Sequence, residues 1–347
     1  MFEKNAPMTM NVNGSGAARP RSAADPRPLR DVLNGWRSEI GVGIGLLVLI
    51  VLFGVLVPQF PTAANAASIL RNVSVTAIIA VGMTMVIIAG EIDLSVGASV
   101  GLAATLFALL VVQHGVPMPL AFLAVLGVAA AIGIVVGGLR VTWGLPSFIT
   151  TIGLLSTLRG IGFFFSDSLS IGPLPPSLGS LWYGEILGLP VPVLLMLVAV
   201  GLGWLTLAQT RFGRHLYALG GDPRTAMRYG VPVKRLRILV FVIVQALAAL
   251  GGVLYVARLN AGSATVGELL ELDVIAAVIV GGTSLAGGTG RMIGTVIGVL
   301  FIAVLRNGMV LMGVDPILFM IAQGLVIILA VWWSMLRGAH LQKEARL

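Results

Sequence analysis

Gly82-Met83-Thr84-Met85-Val86-Ile87-Ile88-Ala89-Gly90-Glu91-Ile92-Asp93-Leu94-Ser95-Val96-Gly97 sets two carboxylates between apolar runs with almost no polar loop around them. The rest of the chain decides what that means. Of 347 residues, 57% are hydrophobic and 10% are charged, against roughly 25% charged in ordinary soluble domains. A single hydrophobic core stops growing beyond about 250–300 residues, so the surplus apolar surface must face lipid. Carboxylates at a membrane edge or within it are costly and therefore rare. Glu91, Asp93 and the neighbouring Ser95 are thus candidates for a translocation path or gate. The same residues admit a plainer reading as a tight cytoplasmic turn, with Asp93 or Ser95 capping the helix that follows.

Outward from this stretch lie further runs suited to crossing about 30 Å of hydrocarbon, which takes about 20 helical residues. They fall near Ile40–Val57, Val73–Ala89, Leu94–Val112, Leu120–Leu139, Phe148–Phe165, Val191–Leu207, Leu236–Ala257, Val274–Leu285, Ile293–Leu305 and Ile317–Trp333. The expected fold is an all-α polytopic membrane protein of about ten transmembrane helices. The eighth and ninth runs are short. Either they are broken around Gly281, Gly282, Gly287, Gly288 and Gly290, or a boundary is misplaced. Irregular backbone at membrane depth is tolerated where protein or a water-filled path covers it, so Gly281, Gly282, Thr283 and Ser284 form a second path or gate candidate.

Basic residues fix the orientation. Six lie in the first 39 residues, seven between Arg211 and Arg237, and three in the tail. With these three segments cytoplasmic, six crossings and then four separate them, and the parity closes with both termini inside. Arg140 and Arg291 then fall inside too, giving 18 of 22 basic residues on the cytoplasmic side. The connection from Ser166 to Leu189 has no Lys or Arg, as an external loop should. Residues 1–39 read as a disordered basic cytoplasmic segment, 40–336 as the transmembrane domain with a cytoplasmic loop over 210–236, and 337–347 as a cytoplasmic tail. Ala64-Asn65-Ala66 resembles a signal-cleavage site. The preceding apolar run exceeds the usual ~7–15 residue signal core, and an uncleaved first helix is the preferred reading.

Within the loop, Asp222-Pro223 has the form of an N-cap followed by proline at the first helical position, and Gly230 the form of a C-terminal stop. A helix of about two turns is expected between them. Tyr217, Met227 and Tyr229 are more apolar than a solvated positive loop requires, which points to a partner surface.

Other chemistry finds no seat. Without cysteine there are no disulfides, thiolate metal sites or cysteine nucleophiles. His114, His215 and His340 lack metal-ligand spacing. The glycines of 281–290 lack the Gly-Lys-Ser/Thr ending of a phosphate loop, so the chain should not hydrolyse ATP. The net charge of +8 sits in a few segments between apolar runs, not in a nucleic-acid-binding stripe. Gly41/Gly45, Gly97/Gly101, Gly133/Gly137 and Gly294/Gly298 fit small-residue helix packing.

Several separated stretches resemble one family. Gly82–Ile87 with Gly90–Gly97, Leu145-Pro146-Ser147-Phe148-Ile149-Thr150-Thr151-Ile152-Gly153 with Arg159-Gly160, the Gly220–Gly230 loop, and Val280–Gly290 with Gly294-Thr295 and Asn307-Gly308 are similar to the ribose/xylose/arabinose-type ABC importer permeases. The match runs over about 60–335. Glu91 departs from the pattern, which has glycine before Ile-Asp-Leu-Ser, and Arg224-Thr225-Ala226 stands where Glu-Ala-Ala is usual. The resemblance implies an inverted-repeat permease fold in the bacterial cytoplasmic membrane and a sugar or similar small solute as substrate. It also implies a second permease copy or paralogue, an ABC ATPase subunit that binds ATP and magnesium, and an external solute-binding protein. No cofactor of this chain's own is implied. Asp222, Arg224, Ala226, Met227, Tyr229 and Gly230 would then form the ATPase-coupling helix. An echo of the inverted repeat is visible in Glu91-Ile92-Asp93-Leu94 and Glu271-Leu272-Asp273-Val274. The competing readings are a branched-chain amino-acid permease, an ion-coupled secondary transporter using Glu91, Asp93 or Arg159, and, more remotely, a membrane enzyme.

Overall fold

A computed structural model describes residues 37–315 and, beyond them, 317, 318, 320, 321, 323–325, 328, 329 and 332. The expected disordered segment therefore lies outside the described residues up to 36, and Arg37 already opens the first helix. The tail 337–347 and parts of the tenth expected span also lie outside them.

The helices are α1 (Arg37–Leu56), α2 (Ala63–Ile88), α3 (Val96–Ala108, continued by a wider turn over Leu109–Gln113), α4 (Met118–Thr142), α5 (Ser147–Ser166) and the single turn α6 (Ser180–Tyr183). After a two-stranded hairpin, β1 (Glu185–Ile186) and β2 (Leu189–Pro190), come α7 (Val191–Gln209), α8 (Arg211–Gly221), α9 (Pro223–Arg228), α10 (Val233–Leu259), α11 (Leu270–Val280) and α12 (Met292–Leu311). The described residues from 317 to 332 are helical. Among the described residues, eight helices are long and apolar enough to cross a membrane.

Three of the expected spans change. The second span begins at Ala63, ten residues before the apolar run, because Thr62 caps it by accepting from Asn65 N and Asn65, Ser68, Arg71 and Asn72 extend the helix into a polar rim. The eighth expected span is a half-helix: the 11 residues of α11 rise about 16 Å at 1.5 Å per residue, too little to cross. The ninth, α12, is a full 20 residues. Gly294 and Gly298, a pair expected to serve helix packing, are the contact surface for α11: a Cβ on either would overlap the carbonyl of Gly281 or Ala277.

α2 and α10 form the centre. Val73 to Ile88 is almost wholly buried, and α10 packs against α2, α3 and α4. Glycine permits the close approach: Gly133 and Gly137 of α4 face the backbone of Val242 and Ile238, and Gly82 faces Val244. Gly41, by contrast, has nothing within 4 Å. α1, α4, α5 and α7 turn Ile44, Leu47, Leu123, Ile134, Ile149, Phe164, Val198 and Leu202 outward. In water that exposure would be ruinous; with lipid as the solvent it has no hydrophobic penalty.

Candidate functional site: two helix breaks, a glycine junction and an outer cavity

The chain breaks twice beside α3. The inner break, Gly90–Ser95, holds the two acids Glu91 and Asp93. Gly90 supplies the turn at φ 75°, and the Glu91 carboxylate is clamped by two arginines. Arg140 Nε, at the end of α4, donates to Oε1 at 2.9 Å and to Oε2 at 3.0 Å. Arg237 Nε, at the start of α10, lies 2.9 Å from Oε1. All three residues fall on the cytoplasmic side in the charge-based topology, and their meeting supports it. Asp93 is fully buried and accepts from Ser95 N at 2.8 Å, Ser95 Oγ at 2.6 Å and Gln245 Nε2 at 2.8 Å. Gln245 also donates to Ser95 Oγ at 2.9 Å. These contacts fasten an irregular segment that would otherwise leave polar backbone without partners in a low-dielectric setting.

The outer break, 260–269, falls in the gap between the seventh and eighth expected runs, but its course inside the bundle was not foreseen. It runs antiparallel along α3 in a groove of small residues. A Cβ on Gly262 would meet Ala104 and Ala108, one on Gly101 the carbonyls of Ala264 and Val266, and one on Gly97 the Gly267 carbonyl and Glu271. Arg159 of α5 reaches in and donates Nη1 to the carbonyls of Ala264 and Val266. Arg159 is thus the fastener of an irregular segment. Replacing it with Met should remove about 1.5–3 kcal/mol for each charge-assisted hydrogen bond. The check is the unfolding midpoint of the purified chain in detergent, with Arg159→Lys expected to lie between Met and native.

The Gly281–Gly290 loop returns to the inner side after α11. Gly281 abuts Gly294, Thr283 is buried, and Ser284 Oγ accepts from Ala286 N at 3.2 Å. Thr84 and Thr295 share a buried hydrogen bond of 2.7 Å between α2 and α12. The loop then joins two other segments at one point: Gly288 N donates to Ile88 O at 2.9 Å, Gly287 lies against Gly90 and Gly220, and Gly220 lies against Ile88 and Gly288. Tyr217 Oη donates to Gly290 O at 2.8 Å. The end of α2, the end of α8 and the loop after α11 therefore meet backbone to backbone.

α8 leads directly into α9. Asp222 accepts from Arg224 N at 2.9 Å and from Thr225 Oγ1 at 2.6 Å, and Pro223 fills the first turn. The Thr225 hydroxyl first, then backbone N–H groups, hold the Asp222 carboxyl below the usual carboxylate range. The cap is therefore complete at neutral pH and is lost only as pH falls through that lowered value. Gly230, at φ 80°, ends the helix. Arg224, Met227 and Tyr229 are exposed, whereas Ala226 is buried and seats α9 on its own chain. α8 itself was missed in the sequence, because Gly213, Gly220 and Gly221 lower its helical propensity.

At the opposite rim a cavity of about 540 Å³ opens between α2, α10, α11 and α12, lined among others by Asn72, Thr76, Arg258, Asp273, Arg306 and Asn307. Asn72, Thr76, Arg258 and Arg306 did not stand out in the sequence, since each lies in the margin of an apolar run; Asp273 entered only through the repeat echo and Asn307 only through the family resemblance. The external connection is pinned beside the cavity: Arg71 pairs with Glu185 at 2.8 Å, the Arg258 guanidinium stacks 5.2 Å from the Trp182 ring centroid, and Tyr183 Oη donates to Arg258 O at 3.0 Å.

A multi-pass helical bundle with two interior breaks, a polar cavity at one rim and an exposed helix at the other defines a membrane transport permease. Residues 65–331 match the family model described as "Branched-chain amino acid transport system / permease component". The ribose import permease protein RbsC of Bacillus subtilis strain 168 is 38% identical over 86% of this chain and 93% of its own length. The corresponding protein of Escherichia coli strain K12 is 40% identical over 85% and 93%, and the xylose transport system permease protein XylH of that strain 31% over 86% and 92%. No solved structure matches the chain significantly. The chain belongs to this permease family, and it is a transport subunit, not an enzyme.

Proposed function

We propose that the chain is the membrane-spanning subunit of an ATP-binding-cassette importer for a monosaccharide or similar small polar solute, working in a bacterial cytoplasmic membrane. The observation that carries this reading is near-complete alignment to permeases named for ribose and xylose. The family's printed description keeps a branched-chain amino acid as the second reading. ATP and magnesium belong to a partner ATPase, and a second permease copy or paralogue completes the membrane part. An external binding protein delivers the solute. The hairpin tip suits that contact, with Leu187 98% exposed.

Arg224, Met227 and Tyr229 are the ATPase-facing side of α9, with Asp222, Ala226 and Gly230 holding its shape. ATPase closure would move α8 and α9 as one body, and the glycine junction passes that movement to α2 and to the loop Gly281–Ser284. Such rigid-body shifts of packed helices are a standard mode of switching. Glu91, Asp93 and Ser95 act in the gate by holding the inner break in place. An ion-coupled transporter would have no use for the exposed helix.

The test uses the importer reconstituted with its ATPase and binding protein, assayed for uptake of labelled ribose, xylose and leucine. Changing Met227 and Tyr229 together to Ala should leave the complex assembled and lower binding-protein-stimulated hydrolysis and uptake at least tenfold. Unchanged rates would remove α9 from the coupling surface, and leucine uptake without sugar uptake would favour the amino-acid reading.

A further inference from the structure

We infer that the outer cavity is a solute subsite of this subunit, built for a neutral polyhydroxylated molecule of monosaccharide size. The inference rests on the importer reading above and adds the site and the chemistry of recognition.

Volume comes first. About 540 Å³ lies within the roughly 300–1,000 Å³ of small-molecule sites. The lining is two-sided. Ile69, Val73, Leu270, Val299 and Ile302 give it apolar surface, suited to the C–H face of a sugar ring. Polar groups come from every surrounding helix: Asn72 and Thr76 from α2, Arg258 from α10, Asp273 from α11, Arg306 and Asn307 from α12. Amide, hydroxyl, carboxylate and guanidinium groups together match the mixed donor and acceptor character of hydroxyls.

The charges are held in a way that favours a neutral ligand. Arg306 Nη1 donates to Asp273 Oδ2 at 3.0 Å, Gln323 donates to the other carboxylate oxygen, and Arg258 is stacked on Trp182. A zwitterionic amino acid needs a cation site and an anion site held apart. Here the carboxylate is taken by Arg306 and Gln323 and Arg258 is held over an aromatic ring, so among the described lining residues no second carboxylate is left to receive an ammonium group. Asn307 is likewise fixed, by a reciprocal amide pair with Asn65 at 2.9 and 3.1 Å. Groups held in this way are preorganised, and the spare carboxylate and amide lone pairs and remaining guanidinium N–H groups are what hydroxyls can meet.

Position gives the cavity a role. Asp273 stands on α11, the half-helix whose far end runs into Gly281 and the glycine junction. A solute bound against Asp273 touches the element that the inner machinery contacts. In this sense the cavity is where the outer stage of transport is read.

The absence of cysteine makes the native chain a ready background for thiol labelling. Asn72→Cys and Thr76→Cys are placed in the complete importer in spheroplasts, with lipid-facing Val55→Cys as control, and labelled with a membrane-impermeant maleimide. The expected result is labelling from outside at residues 72 and 76, little at 55, and at least threefold slower labelling with saturating D-ribose or D-xylose but not with leucine. Asn72→Leu should raise the KM for uptake at least fivefold with little change in kcat, while thermal stability stays native. If the native importer takes up labelled sugar but sugar does not slow labelling and Asn72→Leu leaves KM unchanged, the subsite is overturned while the importer reading stands. If the native importer takes up leucine and no sugar, the importer reading for sugars falls, and with it the polyol site.

Discussion

Gly220→Ala should abolish most transport while Gly221→Ala leaves it intact. A Cβ on Gly220 would overlap the carbonyl oxygen of Ile88 and crowd the backbone of Gly288, whereas Gly221 has nothing within 4 Å. Every obstructing atom is backbone, so no flexible side chain can yield. Inserting a methyl group into a well-packed site costs about 1–3 kcal/mol, occasionally more, and this site should lie at the upper end. Relief requires α8 to move away from α2 and from the loop after α11. Moving it separates α9 from the inner break, so ATP hydrolysis should continue while uptake falls tenfold or more. The measurement is the ratio of solute imported to ATP hydrolysed by the reconstituted importer, with membrane insertion checked alongside. Equal ratios for the two variants would sink the glycine junction as the transmission point.

How far the sequence foretold this arrangement depends on the kind of residue. Long apolar runs made the helices legible, and the placement of Arg140, Arg237 and Arg291 gave the expected orientation, because lipid imposes length and charge rules residue by residue. Asp222, Pro223 and Gly230 made α9 legible, because caps are local chemistry. The course of the outer break was invisible. Asn260, Gly262, Ser263 and Gly267 mark a loop between two apolar runs, but its path is set by Gly97, Gly101 and Arg159, all more than 100 residues away in sequence. The cavity was hidden for a similar reason: Asn72, Asp273 and Arg306 come from three separate helices. The echo between Glu91–Leu94 and Glu271–Val274 was legible, but its members differ in setting. Glu91 and Asp93 precede their helix in irregular chain, whereas Glu271 and Asp273 already lie in the first turn of α11. Glycine spacing identified four candidate packing stripes, yet only the structure separates Gly294, in backbone contact, from Gly41, which touches nothing.

Glu91 is where resemblance and geometry make opposite forecasts, and Glu91→Gly decides between them. The family pattern has glycine at this place, which on its own forecasts a harmless change. The geometry forecasts a damaging one. The Glu91 side chain is 2% exposed, and Arg140 and Arg237 keep only 25% and 18% of their side-chain surface. Removing the carboxylate leaves two guanidinium groups facing each other with their shared counter-charge gone. Breaking a buried ion pair from one side typically costs about 3–5 kcal/mol, and the partial exposure of the arginines puts this case near the lower figure. Glu91→Gly and Glu91→Leu should therefore both lower the unfolding midpoint in detergent and reduce the amount of folded chain in the membrane. Glu91→Gln should sit between them and native, since its amide carbonyl can still accept one guanidinium hydrogen bond. Combining Glu91→Gly with Arg237→Leu should recover part of the loss, because it removes one of the stranded charges and the repulsion between the pair. Such recovery is the coupling that a double-mutant cycle isolates. Additive losses would mean that Arg140 and Arg237 find other partners at the inner rim, and that Glu91 marks the turn without fastening it.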